Sequence, residues 1–189
     1  MAFRAWETLP GNRRTVRFAA ALGMTLAAAA VCTPAYAALT QTDVLVAERV
    51  IRFVEKFGSG VMRVGIVVAP DSAQSVQEGN ELKALLGKQL RTGDNVLQAI
   101  LVRPDQLAEA DVGLFFLTEG LGAAAAKVAG VSKGRKITCI TFDLTQVKNG
   151  ACTIGIQSRP KIEVFVNRKA ATDSGTVFSS VFRLMITEY

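Results

Sequence analysis

Apolar residues along this chain change spacing repeatedly, from a helical period to short unbroken runs and back. Over 42–57, Val46, Val50, Phe53, Val54 and Phe57 recur at helical spacing, with Asp43, Glu48, Arg49, Arg52 and Glu55 between them. This predicts an amphipathic helix capped by Thr42 or Asp43 and ended by Gly58-Ser59-Gly60. "MRVGIVVA" (62–69) is nearly continuous and rich in β-branched residues, the mark of a strand buried on both faces. After Pro70-Asp71-Ser72, the residues Val76, Leu82, Leu85, Leu86 and Leu90 predict a second helix, weakened at Gly79.

The alternation continues. "NVLQAILV" predicts a strand, a short acidic helix is expected after Pro104, and "VGLFFL" (112–117) predicts another buried strand. An alanine-rich helix and the strand "KITCITF" (136–142) follow. Strands alternating with helices imply parallel neighbours joined by right-handed crossovers. The last third changes character: "ACTIGIQ" and "KIEVFVN", separated by Ser158-Arg159-Pro160, suit a hairpin. A helical tail is expected from Arg168, interrupted at Gly175 and resuming through Phe178, Val181, Phe182, Met185 and Ile186. The expected fold is α/β: one domain with a mixed, mostly parallel sheet flanked by helices and ending in an antiparallel hairpin.

The first 37 residues fall outside this pattern. Arg4, Arg13, Arg14 and Arg17 precede a largely apolar run over 18–31, then Thr33-Pro34 and "AYA" at 35–37. A charged head, a short apolar middle and small residues before the break predict a signal peptide cleaved between Ala37 and Ala38. The apolar run falls short of the about 20 residues a membrane-spanning helix needs. Arg13-Arg14 also resembles a twin-arginine signal, although Val16 and Arg17 stand where that signal has large apolar residues. Either route leads to the periplasm, and Cys32 leaves with the leader.

Removal of that leader changes the charge. Four Arg and one Glu depart from a chain of 22 basic and 16 acidic side chains, leaving 18 and 15, so +6 becomes +3. So small and dispersed an excess argues against nucleic acid. The remainder, 38–189, suits a single core. No histidine exists anywhere, which removes the commonest metal ligand and the commonest acid–base group. No catalytic residue, metal site or cofactor is assigned.

Cys139 and Cys152 are the thiols left after cleavage. In an oxidising compartment an even pair favours a disulfide over two buried apolar thiols. Gly120 and Gly122 in "TEGLGAAAAKVAG" match G-x-G-x-x-A, with Asp143 beyond the next strand, as in a dinucleotide site. Glu119 would aim a carboxylate at the phosphates, so the preferred reading is an ordinary turn, with Gly122 and the alanines letting a helix pack close. Asp71, Glu78 and Glu81 suit a helix dipole. Ser179 and Ser180 lack a base, and their hydroxyls are expected to bond back to the helix or a nearby loop.

"NGACTIGIQSRPKIEVFVNRKAATDSGTVFSSVFRLM" resembles the closing segment of the YfiR/HmsC-like family of small periplasmic proteins. The pattern falls on Gly150, Phe165, Val166, Asn167, Ala170, Ala171, Gly175, Ser179 and Ser180. "DVGLFFLTEG" and "ITCITFD" resemble that family's central strands. The resemblance implies structural jobs: Asn167 bonding at a strand-to-helix junction, Gly175 supplying a kink, and Ser179 and Ser180 fixing the last helix. It further implies a non-enzymatic periplasmic regulator, often dimeric, that restrains a membrane-bound diguanylate cyclase through its periplasmic domain and so lowers cyclic-di-GMP output and biofilm formation. A small-solute-binding protein of a transport system is the alternative, since the strand–helix alternation resembles one lobe of such proteins. An exported oxidoreductase is a third.

Overall fold

A computed structural model describes residues 39–57, 59–87, 91–92 and 95–189. The expected leader and its cleavage point at Ala37 and Ala38 lie outside them. The described chain runs α1 (Gln41–Arg52), β1 (Gly60–Val67), α2 (Ala73–Leu86), β2 (Arg91–Thr92), β3 (Asn95–Val102), β4 (Leu114–Leu117), α3 (Ala124–Arg135) and β5 (Thr138–Thr141). It continues through α4 (Leu144–Lys148), β6 (Ile154–Gln157), β7 (Glu163–Val166), α5 (Arg168–Asp173), α6 (Ser180–Arg183) and β8 (Ile186–Glu188).

All eight strands join one sheet in the order β2-β3-β1-β4-β5-β6-β7-β8. The central pairs β3-β1, β1-β4, β4-β5 and β5-β6 are parallel; β2-β3 and β6-β7 are antiparallel. The expected α/β architecture is therefore present, hairpin included. Side chains alternate across the sheet. Leu114 and Phe116 of β4 enter a core with Val44, Val50, Leu82 and Phe182, whereas Phe115 and Leu117 enter a second core with Leu107, Val128 and Val147. Thus α1, α2 and α6 cover one face, and α3, α4 and the 104–110 turn cover the other.

This arrangement fixes where the sheet opens. From β1 the chain crosses through α2 to β3 on one side of β1, while β4 lies on the other side and leaves through α3 across the opposite face. The loops after β1 and β4 diverge, the position at which open α/β sheets bind ligands outside the carboxyl ends of their strands. Gly79 lets α2 lie close beside it. A Cβ there would come within 2.2 Å of Val68 Cγ1, so the glycine that weakens the helix also seats it on β1.

Several elements differ from expectation. The first helix stops at Arg52, because Val54 pairs with Phe178 and the Glu55 N–H bonds Val177 O at 2.9 Å. Its cap is Thr40; Asp43 is the third helical residue and completes a capping box. The segment after Pro104 forms hydrogen-bonded turns rather than a helix, with the Gln106 and Ala110 N–H groups bonded to Arg103 O and Gln106 O. The tail helix ends at Arg183. Beyond it β7 offers an unpaired edge, where Ile186 and Thr187 align with Val164 and Phe165. Residues expected to extend the helix therefore form β8.

Candidate functional site

A polar lattice ties the two diverging loops together. Ser72 caps α2, its Oγ accepting from the Ser75 N–H at 3.2 Å. Ser75, buried on the next turn, accepts the Ala69 N–H at 2.8 Å and shares a 2.6 Å bond with the Thr118 hydroxyl. Thr118 is bonded to Val67 O at 2.8 Å, and its own carbonyl accepts from Gln146 Nε2 at 2.8 Å. Three connections, after β1, β4 and β5, are thus locked through hydroxyl and amide bonds. Gly120 (φ +69°) turns the chain away from this lattice, and a Cβ there would lie 2.7 Å from Ser72 Oγ.

Three carboxylates stand above the lattice. Glu78 Oε2 accepts the Glu119 N–H at 2.7 Å, while its Oε1 is buried without a partner. Glu119 accepts from Gln74 Nε2 at 2.6 Å. Asp143 caps α4, with Oδ1 accepting from the Thr145 N–H at 2.8 Å. Burial pushes the Glu78 carboxyl up to about 7; the Glu119 N–H opposes this, and the charges of Glu119, Asp143 and Glu81 add to it. Burial also raises Glu119, with Asp143 adding to it and the Gln74 bond opposing. Alongside Asp143 a cavity of about 540 Å³ opens between α3 and α4, lined by Leu121, Ala125, Ala129, Thr145 and Gln146. Among the described residues, no three His, Cys, Asp or Glu side chains are grouped to hold a metal ion.

Two expectations are corrected here. Glu78 is not a first-turn acid serving the α2 dipole; it lies in the second turn and faces Glu119. Gly122 does not bring a helix closer, since a Cβ there meets nothing within 4 Å; its φ of +51° serves the turn. Gln146 carried no signal in the sequence, because α4 is too short to show a period.

The residues of the C-terminal pattern lie elsewhere. Cys139 and Cys152 form a buried disulfide between β5 and the approach to β6, with Cα atoms 5.2 Å apart. Asn167 caps α5, its Oδ1 accepting from the Ala170 N–H and its Nδ2 donating to Val147 O, both at 2.9 Å. Gly150 and Ala170 border a cavity of about 180 Å³, and buried Ala171 packs on the α1 face. Gly175 ends α5 with φ +62°, and Phe165 stacks on Tyr189. The Ser179 N–H bonds Phe53 O at 3.0 Å, and it is this backbone bond that holds the start of α6, since the expected bond from the buried Ser179 hydroxyl is absent. Ser180 is exposed.

No family model matches the chain and no curated protein matches it significantly. Solved structures share its fold. A conserved domain protein from Vibrio cholerae O1 biovar El Tor superposes with a TM-score of 0.54 at 12% identity, over 78% of this chain and 59% of that one. The ABC domain in complex with L-Trp from Streptococcus pneumonia gives 0.54 at 11%, over 78% and 60%. A ligand-free, open substrate binding protein with adhesive properties from Clostridium difficile gives 0.49 at 12%, over 68% and 54%. The chain spans about three fifths of the first two, and at such identities the likeness is one of fold.

Proposed function

We propose that this protein binds a small solute where the loops after β1 and β4 diverge, and that it works by binding rather than by turnover. The observation that carries this reading is the cavity of about 540 Å³ between α3 and α4, with Asp143 and Gln146 in its lining and Glu119, bonded to Glu78, on the loop that precedes α3. Open α/β sheets present their ligands where such loops diverge. The neighbour holding L-Trp has the same fold and supports the reading. The Cys139–Cys152 disulfide supports a periplasmic home. A thermal-shift screen of the purified protein tests it: a ligand at 100 times its dissociation constant adds about 2.7 kcal/mol. Absence of stabilisation by every class of solute overturns it.

A second reading follows from the YfiR-like C-terminal pattern: a regulator docking on the periplasmic domain of an inner-membrane signalling protein. It is favoured by the apolar surface of the tail, where Val177, Val181, Leu184, Met185 and Tyr189 are exposed. Among the described residues, no helix is long and apolar enough to cross a membrane. Co-purification with a membrane-bound diguanylate cyclase, lost on replacing Val181 and Leu184 by Ser, supports this role; a cyclase whose output ignores the protein argues against it.

A further inference from the structure

Near the carboxyl end of β4, two buried side-chain oxygens lack hydrogen-bond donors. Gln146 is only 7% exposed and lines the cavity, and its Oε1 has no hydrogen-bond partner. Its amide cannot be turned over to solve this, because Nε2 is committed to Thr118 O at 2.8 Å and reversal would set two oxygens against each other. Glu78 Oε1 is the second buried acceptor without a donor. A buried acceptor left unmatched is costly, so Gln146 in the cavity lining marks where a donor belongs, with Glu78 a second such place close to Glu119.

Charge points the same way. Among the described residues, seven carboxylates each pair with a lysine or arginine, and of the others Glu55, Asp71 and Glu109 are exposed to water, whereas Glu78, Glu81, Glu119 and Asp143 are partly buried. Glu78, Glu119 and Asp143 join none of these ion pairs, although the protein is basic overall. A point cation does not suit them, since they are not grouped as a metal site. A neutral solute would leave the carboxylates uncompensated, and an anion would add to their repulsion. The cavity wall is apolar along Leu121, Ala125 and Ala129, which suits an alkyl stem.

We infer that the solute is an alkyl amine of the diamine or polyamine class, its ammonium N–H groups donating to Glu78, Glu119, Asp143 and Gln146 and its stem lying along α3. This rests on the solute-binding reading above.

The test is calorimetric titration and thermal shift of the full exported protein with putrescine and spermidine, in about 0.3 M salt to screen diffuse attraction. L-Tryptophan, glucose and L-glutamate serve as neutral and anionic probes. Glu78→Gln retains an oxygen for the Glu119 N–H, so it is expected to fold; it weakens amine binding by about tenfold or more, as loss of one buried charge partner does. Glu109→Gln, an exposed acid outside this group, leaves binding unchanged. Equal weakening by Glu109→Gln, or stabilisation by tryptophan, glucose or glutamate without any by amines, overturns the inference while solute binding stands. No stabilisation by either amine overturns the inference, and only a wider screen in which no solute stabilises the protein removes solute binding as well.

Discussion

Two carboxylates tucked beneath loops of this molecule have opposite fates. Asp43, near the start of α1, is 2% exposed and surrounded by partners. It accepts from the Thr40 N–H and hydroxyl at 2.6 and 2.7 Å, accepts from Ser158, and faces Arg159 Nη2 at 3.8 Å. Burial alone would raise its pKa, but these donors outweigh burial and hold the carboxyl below its usual range. Glu78 has one backbone donor, three acidic neighbours and a bare oxygen. Asp43 ties α1 to the turn between β6 and β7 and is complete. Glu78 is complete only when something else arrives, and that separates a structural carboxylate from a binding one.

The largest expected effect breaks the complete side. Asp43→Ala removes the capping box and strands the Ser158 hydroxyl, costing roughly 3–4 kcal/mol in chemical denaturation at neutral pH. The wild-type contribution follows pH in a defined sense. A lowered carboxyl stabilises above its unfolded pKa, about 3.9, and this stability is lost as pH falls through the lower folded value. Acid unfolding of Asp43→Ala should therefore be shallower than that of wild type.

Cleaving the link between β5 and β6 comes next. Cys139→Ser with Cys152→Ser loses about 3 kcal/mol. Since both sulfurs are buried in the α3–α4 core, this destabilisation should appear without loss of amine binding.

Glu78→Gln sharpens the contrast by reversing its sign. A carboxyl raised in the folded state contributes stability below about pH 4.5 that is lost as pH rises through about 7. Above that range the glutamine variant should be more stable than wild type by roughly 2–3 kcal/mol. At about pH 4 the two should coincide. The smallest effect belongs to Asn167→Ala, which removes the α5 cap and costs about 1 kcal/mol in a melting experiment.

The order of strands and helices was largely legible in the sequence because buried parallel strands such as β1 and β4 are uninterrupted apolar runs bounded by turn residues. What escaped was decided by distant neighbours. Ile186 and Thr187 form β8 because β7 has an edge to offer, and no local period could reveal that edge. The site was legible only in fragments. Glu119 and Asp143 stood out as acids directly after strands, yet Glu78 looked like an ordinary helix acid. The turn around β1 brings Glu119 and Asp143 within electrostatic reach of Glu78, with α2 on one face and α3 on the other. Gln146 became visible only once its amide had found Thr118 and left an oxygen over.

The most direct test of the incomplete carboxylate is a pH titration of the Glu78 side-chain carbon by NMR, with and without putrescine. Groups facing Glu78 are Glu81 on its own helix, Glu119 after β4 and Asp143 after β5, and all are acidic. The expected midpoint is near 7 in the protein alone, falling by about one unit or more when the amine binds. An ordinary glutamate midpoint that does not respond to any amine would contradict it.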